Sequence, residues 1–576
     1  MNSHFDESAF SYFRTVISRK KLYFLSLLSG LLFFLGWPPF GFTFILFFAF
    51  VPLLYIEHVF AIGNTKAKRT LLFGLSYLTF FIWNISTTWW VTKASIGGGA
   101  MAFITNSFFM AAVFWIFHVA KKRLLATTAA AANWLFPVFW LSFEFIHYQW
   151  ELTWPWLSLG NAFADNPSWI QWYEFTGVSG GSLWVLAVNL MIFEWLKGNY
   201  KMVYGIACTI LFPILFSFAL YYSYDEKQNP VSVVVVQPNI DPYSEKFSGM
   251  NYDEQLTRML ELAKQKTDTS TDYLVFPETA LTEDIWDNDF KQTGSYSRLK
   301  EFLKSFPKLK IVTGASTWHL YEAGEKLSAS ARKFKKQNGY YDAFNTAFQI
   351  DNTDSVQVYH KSKLVPGVER MPYPAVFGFL ENFAIDLGGT SGSLGTQEER
   401  TVFTSPVLPV PGSPLPTNQE TEKERKGEGG KMISGVAPVI CFESIFGEFV
   451  SEFVRNGADL IFISTNDGWW GDTPGYRQHL IYGRLRAIET RRCIARSANT
   501  GVSCFINQRG DISQATEWWK PAVIKANING NTSETFYVKH GDLIGRVCFY
   551  VSGIVLLLVI FMSLRVRFGA KQSRYL

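Results

Sequence analysis

The stretch "VAPVICFES" (436–444) decides the fold of the C-terminal half of this 576-residue chain. Its apolar first residues are typical of a buried strand. The strand ends on Cys441, and "IFGEFVSEFV" (445–454) follows with apolar residues at helical spacing. A strand that leads directly into a helix is typical of an α/β layered domain. We therefore expect Cys441 to be exposed at a strand-to-helix turn, where the helix N-terminus favours the thiolate.

Further β-rich runs on both sides of this stretch alternate with helical stretches and predict an α/β layered domain over 224–545. Within this domain, 388–432 is rich in Gly, Pro, Ser, Thr and charge, which predicts a flexible insertion. Such a loop could act as a lid over a site or be an insertion alone, and we favour the insertion. The predicted strands are "VSVVVVQPNI" (231–240), "DYLVFPET" (272–279), "KLKIVTGAST" (308–317), the hairpin "NTAFQI" (345–350) and "SVQVYHKSKLVPG" (355–367), and the strand and loop "ADLIFISTNDGWWGD" (458–472).

The remaining parts of the chain are strongly apolar, and the whole chain is 48% hydrophobic with 53 Phe and 20 Trp. A bilayer-spanning helix needs about 20 mainly apolar residues. The pattern predicts a seven-helix transmembrane bundle over 1–223 and a C-terminal transmembrane helix with a tail over 546–576. Buried helices of a large soluble protein are the weaker alternative, because so many such stretches follow one another. The eight stretches are 22–38, 42–61, 70–92, 98–119, 129–149, 181–197, 203–222 and 547–564.

Basic residues accumulate in every second loop between these stretches and mark the cytoplasmic side of a membrane. We therefore expect both termini to be cytoplasmic and the block 224–545 to face the periplasm of a bacterial inner membrane. The aromatic segment 150–180 falls on that outer side, either as an aromatic belt at the lipid interface or as a floor beneath the soluble domain. The basic clusters are Arg14, Arg19, Lys20 and Lys21; Lys66, Lys68 and Arg69; Lys121, Lys122 and Arg123; Lys197 and Lys201; and Arg565, Arg567 and Lys571.

Charge and cysteine content argue against several functions. The net charge is only +5, and no stripe of Lys and Arg follows an aromatic face, so nucleic-acid binding gains little support. The five cysteines form no CxxC pair and no Cys/His ligand spacing, which argues against a zinc site or a disulfide framework. The chain also contains no evident Ser/His/Asp set and no Gly-rich phosphate loop.

Three predicted strand ends carry three reactive side chains, Glu278, Lys361 and Cys441. A carboxylate beside a thiol can take its proton, and an ammonium can stabilise the oxyanion of a tetrahedral intermediate. Each residue also has an ordinary structural explanation: core packing for the cysteine, a turn for the glutamate and a solvated position for the lysine. Spacing alone cannot bring the three side chains together.

Four motifs in a fixed order, "VFPETA" (275–280), "YHKSKLVPG" (359–367), "VICFES" (439–444) and "STNDGWWGD" (464–472), resemble the nitrilase superfamily. With the predicted spans, the chain resembles over almost its whole length the membrane-bound apolipoprotein N-acyltransferase family. The resemblance implies a membrane helical bundle joined to an αββα sandwich. It also implies Glu278 as general base, Lys361 as catalytic lysine and Cys441 as nucleophile, with Glu369 and Glu443 as additional carboxylates. Further matches are "TNDGWWGDTPGYRQH" (465–479), "RLRAIETRR" (484–492) and "RSANTGVS" (496–503).

The resemblance implies a ping-pong reaction. The sn-1 acyl chain of a phospholipid, typically phosphatidylethanolamine, forms a thioester on Cys441 and passes to the amine of a diacylglyceryl-cysteine apolipoprotein. It implies no cofactor or metal, and we expect a monomer. Two other hypotheses stay open: a membrane-tethered nitrilase-type amidase acting on a soluble amide, and a catalytically inactive lipoprotein-binding or transport protein. A labelled acyl group on Cys441 separates the first from acyl transfer, and Cys441→Ser separates the second.

Overall fold

The computed structural model describes residues 18–62, 69–124, 132–246, 249–336, 338–373, 393–404 and 435–572. Most of the predicted insertion, 388–392 and 405–432, therefore lies outside the described residues, and its flexibility stays a prediction. The described part of it packs on the domain, because the backbone N–H of Gly395 donates to the carbonyl of Ala343 at 2.8 Å.

Every apolar stretch expected from the sequence contains a helix. Within the part of the chain that the structure describes, six of these helical segments are long and apolar enough to cross a membrane. The exceptions are Arg19–Gly36 and the shorter Leu135–His147, and the helices Met202–Ser223 and Leu543–Gln572 expose most of their apolar residues. Apolar helices exposed on all sides suit a lipid environment, since their backbone groups are already satisfied within the helix. The helices are α1 (Arg19–Gly36), α2 (Thr43–Ile62), α3 (Arg69–Thr88), α4 (Ile96–Leu124), α5 (Leu135–His147), α6 (Tyr173–Leu196), α7 (Met202–Ser223) and, at the C-terminal end, α13 (Leu543–Gln572).

The aromatic segment between α5 and α6 folds into 3₁₀ turns that lie beneath the soluble domain. Glu144 near the end of α5 accepts hydrogen bonds from the Trp140 indole at 3.0 Å and from the Leu159 backbone N–H at 2.9 Å, and so holds the segment. Trp156 is 1% exposed and donates to the Gln478 side chain of the soluble domain at 2.7 Å. Of the two sequence interpretations, these contacts favour the floor over the aromatic belt.

Two β-sheets form the centre of the soluble domain. The strands are β1 (Pro230–Gln237), β2 (Tyr273–Val275), β3 (Leu281–Trp286), β4 (Lys310–Leu320), β5 (Arg332–Lys333), β6 (Tyr340–Ile350), β7 (Val356–His360), β8 (Val436–Ile440), β9 (Leu460–Thr465), β10 (Cys493–Ala498), β11 (Cys504–Ile506), β12 (Ile512–Ser513) and β13 (Ala522–Asn529). The first sheet has the order β13–β1–β2–β4–β6–β5, with β3 also paired to β4 and β7 to β6. The second sheet has the order β12–β11–β10–β9–β8.

The two sheets pack face to face because their central strands are apolar on both faces. In β1, Val233 and Val235 belong to the core shared with the second sheet, whereas Val234 and Val236 belong to a separate core beneath the outer helices. This alternation follows from the two-residue period of a strand and explains why the four residues Val233–Val236 are all apolar. Between the sheets, the Ser464 hydroxyl donates to the Phe276 carbonyl at 3.1 Å.

Helices cover the outer face of each sheet, which completes and confirms the predicted αββα sandwich. The first sheet carries α8 (Tyr252–Lys264) and α9 (Gly294–Lys304), and the second carries α10 (Gly447–Arg455) and α11 (Pro474–Thr490). A short helix α12 (Phe536–His540) leads to α13. The start of α8 is set locally, because Asn251 and Glu254 each accept a hydrogen bond from the backbone N–H of the other.

Candidate active site

Cys441 follows β8 directly in a backbone conformation that is uncommon for a residue with a side chain. Its φ angle is +49°, in the left-handed region. A 3₁₀ turn over Cys441–Ile445 follows, and the α-helix begins only at Gly447. The expectation of an exposed thiol at the N-terminus of an α-helix is therefore wrong, because the turn is 3₁₀ and the cysteine is partly buried. The contacts that bury it come from distant segments that the local pattern does not contain.

Glu278 and Lys361 meet at this end of the sheets as a buried ion pair. The Lys361 ammonium lies 3.0 Å from Glu278 Oε1 and 2.7 Å from Glu369 Oε1. Glu278 stands three residues beyond β2, and Lys361 is the first residue after β7. The side chains of Lys361 and Glu278 are only 1% and 8% exposed, so the attraction between them acts in a poorly screened environment.

The surroundings of Glu278 hold it as a carboxylate. Asn345 donates to Oε1 at 2.7 Å, and the backbone N–H of Asn466 donates to Oε2 at 3.1 Å. Burial by itself raises the pKa of Glu278, but the Lys361 ammonium and the hydrogen bonds from Lys361 and Asn345 outweigh it, so the pKa lies below its usual range. Burial similarly opposes the charge of Lys361, whose pKa is nonetheless raised well above its usual value by Glu278 and then Glu369. Glu278 is thus a base that is ready to accept a proton at neutral pH.

Glu443 joins the two strand ends that carry Lys361 and Cys441. It is fully buried and accepts hydrogen bonds from the Ser362 backbone N–H at 2.6 Å, the Tyr359 hydroxyl at 2.7 Å and the Ile440 backbone N–H at 2.8 Å. Its carboxylate therefore ties the residue after Lys361 to the residue before Cys441. Glu369 acts differently, because its first oxygen accepts from Lys361 and its second from the Val365 backbone N–H at 2.8 Å.

The thiol itself is held in its protonated form. Burial is the largest cause that raises the pKa of Cys441, and the negative charge of Glu278 raises it further, while Lys361 opposes both. A thiol with a raised pKa attacks a carbonyl carbon only if a base removes its proton at the moment of attack. Glu278 is ionised, belongs to the same cavity and interacts with the thiol electrostatically, so it can take that proton.

Lys363, two residues after Lys361, contacts other groups than Lys361 does. Its ammonium donates to the Tyr148 carbonyl at 3.3 Å and lies 5.1 Å from the centre of the Phe446 ring. Of the two lysines in "YHKSKL", it is therefore Lys361 that faces the carboxylates.

One cavity of about 230 Å³ connects the charged groups with the membrane helices. Glu278, Lys361, Glu369 and Cys441 line one end of it. The rest is mainly apolar and includes one face of α4, whose lining residues recur every three or four positions as one helix face does. Those residues are Gly98, Met101, Ala102, Thr105, Asn106 and Phe109. Within the described ranges, no group of three or more His, Cys, Asp or Glu side chains is arranged to hold a metal ion.

Sequence reasoning missed a second charged cluster beside the cysteine. Asp467 lies 2.9 Å from His479 Nδ1 and 2.8 Å from Arg496 Nη2, and all three side chains are buried. His479 Nε2 lies 3.1 Å from the carbonyl oxygen of Cys441. The motifs 465–479 and 496–503 contain these residues, so a signal was present, but nothing in the sequence placed them against Cys441.

The αββα sandwich, with Glu, Lys and Cys side chains meeting at the ends of its strands, defines the carbon–nitrogen hydrolase class. A family model described as "Carbon-nitrogen hydrolase" matches residues 232–537, and one described as "Apolipoprotein N-acyltransferase N-terminal domain" matches residues 29–191. Among solved structures, a mutant of the Nesterenkonia amidase from the nitrilase superfamily covers 55% of this chain and 95% of its own, with 12% identity and a TM-score of 0.33.

Relatives that match nearly the full length identify the family within that class. An apolipoprotein N-acyltransferase from Chlorobaculum tepidum is 32% identical over 569 residues, which cover 95% of this chain and 98% of the relative. Another from Thermotoga maritima is 25% identical over 571 residues, covering 94% and 93%. This chain belongs to the apolipoprotein N-acyltransferase family, as its motifs predicted.

Proposed function

We propose that the protein takes the sn-1 acyl chain of a membrane phospholipid, such as phosphatidylethanolamine, onto Cys441 as a thioester. It then transfers that chain to the N-terminal amine of a diacylglyceryl-cysteine apolipoprotein, the final step of lipoprotein maturation. Family membership makes the protein an acyltransferase enzyme of lipoprotein N-acylation. The observation that carries the mechanism is the single cavity that Cys441, Glu278 and Lys361 share and that continues along α4.

In the first half-reaction, Glu278 takes the thiol proton while the sulfur of Cys441 attacks the ester carbonyl carbon. The Lys361 ammonium stabilises the resulting oxyanion. The tetrahedral intermediate then expels the lysophospholipid oxygen, which takes the proton back from Glu278. A thioester remains, and the site has neither gained nor lost a proton.

In the second half-reaction, the amine of the acceptor attacks the thioester carbonyl. Glu278 takes the proton that the amine loses and returns it to the departing sulfur of Cys441. The products are an amide on the lipoprotein and the original thiol, so the enzyme is ready for another phospholipid. Glu369 also accepts a hydrogen bond from Lys361, which keeps the ammonium in place while the charge of Glu278 changes.

The apolar part of the cavity supports a lipid donor rather than a soluble one. Moving an acyl chain into water costs about 0.8 kcal/mol per CH₂, so the chain stays in an apolar environment during the reaction. The α4 face offers such an environment directly beside Cys441. An apolar surrounding also keeps water from the thioester, which would otherwise be hydrolysed.

We further propose that the chain divides into a membrane bundle (1–223), a periplasmic catalytic domain (224–545) and a C-terminal span with its tail (546–576), with both termini cytoplasmic, and that it works as a monomer. The end of α4 that lines the cavity lies about 36 Å along the helix from Lys122, at 1.5 Å per residue, and basic residues favour the cytoplasmic side. A reporter enzyme active only in the periplasm should work when fused after residue 223 and fail after residue 576. Light scattering of the purified protein in detergent should give the mass of one chain.

The central test uses the purified full-length chain and phosphatidylethanolamine labelled in the sn-1 chain. We expect intact-mass analysis to find one acyl group on Cys441 and to lose it when an apolipoprotein with a free amine is added. Cys441→Ala should remain unlabelled, whereas the matched control Cys208→Ala, which removes an exposed cysteine, should label normally. No acyl group together with turnover of soluble amides would support the amidase, and complementation by Cys441→Ser would support a binding or transport protein.

A further inference from the structure

The Asp467–His479–Arg496 cluster contacts the backbone of Cys441 through His479. We propose that His479 is a positioning residue for acyl transfer: it holds the carbonyl of Cys441 and so fixes the left-handed backbone that directs the thiol into the cavity. This inference rests on the proposed function, since it takes Cys441 as the nucleophile.

The contact defines which nitrogen of His479 carries a hydrogen. The carbonyl oxygen of Cys441 can only accept, so Nε2, which lies 3.1 Å from it, is the donor. The Ser444 hydroxyl donates to the same oxygen at 2.7 Å and lies 3.0 Å from Nε2. Two donors from different segments therefore converge on the carbonyl of the nucleophile.

The other nitrogen of His479 has a partner in either protonation state. Nδ1 lies 2.9 Å from a carboxylate oxygen of Asp467, which accepts from a protonated Nδ1. It also lies 3.1 Å from Arg496 Nη2, which donates to a bare Nδ1. Burial by itself raises the pKa of Asp467, but Arg496 and His479 outweigh it and hold that pKa well below its usual range. The ring is therefore held in the same orientation whether or not Nδ1 carries a hydrogen.

Packing against two tryptophan rings also restricts the rotation of the His479 imidazole. Trp470 meets His479 edge-on, with ring centres 5.5 Å apart, and Trp156 lies against it at 5.9 Å. His479 itself is 1% exposed. Trp156 belongs to the floor segment between α5 and α6, so the membrane part of the chain helps to orient the ring that holds Cys441.

The hydrogen bond from His479 matters because the backbone conformation of Cys441 is unfavourable by itself. A non-glycine residue in the left-handed region is strained and persists only where its surroundings enforce it. A misplacement of about 1 Å at a reacting atom can slow a reaction about 100-fold. A donor fixed on the carbonyl of the nucleophile addresses both problems.

Two substitutions separate the two nitrogens of His479. The amide of His479→Gln reaches the position of Nε2 and can still donate to the Cys441 carbonyl, whereas the amide of His479→Asn reaches only the position of Nδ1. We expect Asn to slow thioester formation about 100-fold with the half-saturating phospholipid concentration unchanged, and Gln to slow it less than about fivefold. The pH profile should keep its shape in both.

The matched control is His118→Gln. His118 is also buried and contacts a carboxylate, Glu57, at 2.7 Å, but it lies in α4 away from the cavity. Thioester formation should be unchanged in this variant. Rates are referred to the folded fraction measured by tryptophan fluorescence. Equal losses in the Asn and Gln variants, a loss confined to substrate affinity, or a loss that follows the folded fraction would each overturn the inference.

Ser444→Ala is the second probe in case His479→Asn does not fold. It removes the other donor to the same carbonyl and should slow thioester formation about fivefold; an unchanged rate would overturn the inference. Failure of the proposed function is distinguishable, because either the parent chain would then gain no acyl group from phospholipid or the Cys441→Ala variant would still gain one.

Discussion

Two buried charged clusters lie beside Cys441 and differ in how their charges are matched. In one, Glu278 and Glu369 share the single ammonium of Lys361. In the other, the Asp467 carboxylate forms an ion pair with the Arg496 guanidinium and also contacts His479. A matched pair fixes geometry, whereas an ammonium with two carboxylates can exchange one of them for another negative group.

That exchange describes the proposed reaction. When Glu278 takes the thiol proton, negative charge leaves the carboxylate and appears on the sulfur or the oxyanion beside the same ammonium. Lys361 thus has two negative neighbours before, during and after the attack, and no net charge is created in the buried site. Creating an unpaired charge there would cost several kcal/mol.

Loss of the Cys441 thiol should have the largest effect on acyl transfer. Cys441→Ala should lower acyl transfer at least about 10⁴-fold, because no other group can carry the covalent intermediate. Labelled phospholipid and mass analysis measure this directly, with Cys208→Ala as the control. Residual transfer within about 100-fold of the parent chain would mean that Cys441 is not the nucleophile.

Removing the base of the unevenly charged cluster should have the next largest effect. Glu278→Gln keeps the shape of the side chain, but it has one accepting oxygen instead of two and cannot take the proton, so thioester formation should fall about 10³-fold. Single-turnover measurement of the thioester checks this. If the variant were as fast as the parent chain, the thiol proton would have to leave by another route.

The ammonium should matter somewhat less than the base. Lys361→Met should slow thioester formation about 10²–10³-fold, which is the usual effect of losing one oxyanion donor. Lys363→Met, two residues away, is the matched control and should stay within about threefold, since its ammonium contacts the Tyr148 carbonyl and the Phe446 ring instead of the carboxylates that hold Lys361. Similar losses in both variants would contradict the distinction between the two lysines.

The evenly matched cluster should respond mainly in stability. Asp467→Asn leaves the Arg496 charge buried and unpaired, which should lower the free energy of unfolding by about 3–5 kcal/mol. Acylation by the folded fraction should fall less than about tenfold, because Arg496 can still donate to His479 Nδ1. Thermal unfolding followed by tryptophan fluorescence measures the first quantity.

Glu301→Gln is the control for that variant, because its pair with Lys304 is 72% exposed on both sides and should contribute less than about 1 kcal/mol. A small stability loss with a large catalytic loss in Asp467→Asn would reverse the assignment of the two clusters.

The smallest effect concerns pH. Burial and Glu278 raise the pKa of Cys441 above its usual value. The thiolate fraction of Cys441 therefore still increases with pH in the range in which a free cysteine is already ionised. Alkylation of Cys441 by iodoacetamide should therefore rise about tenfold per pH unit from pH 6 to 9 without a plateau. In Glu278→Gln it should be faster at each pH, opposite to the effect on catalysis. A plateau near pH 8 in the parent chain would contradict the raised pKa.

Much of the fold follows from local patterns. The run "KLKIVTGAST" predicted a strand that the structure extends to Lys310–Leu320, and the predicted apolar spans are helical. The site was harder to predict, since the roles of Glu278, Lys361 and Cys441 depended on the resemblance of their motifs to a family. The expected exposure of Cys441 was wrong because neighbours from remote segments bury it, and a local pattern does not contain them.

The amino-acid sequence by itself determined which segments are strands, soluble helices or membrane helices, because apolar period and length act over a few neighbouring residues. It also determined which reactive groups stand at strand ends. Only the tertiary structure decided that Lys361 meets Glu278 across 83 residues, that Glu443 ties the ends of β7 and β8, and that His479 holds the carbonyl of Cys441. Those contacts arise from the packing of two sheets and a membrane bundle, and their free energy belongs to the assembled fold, not to any one segment.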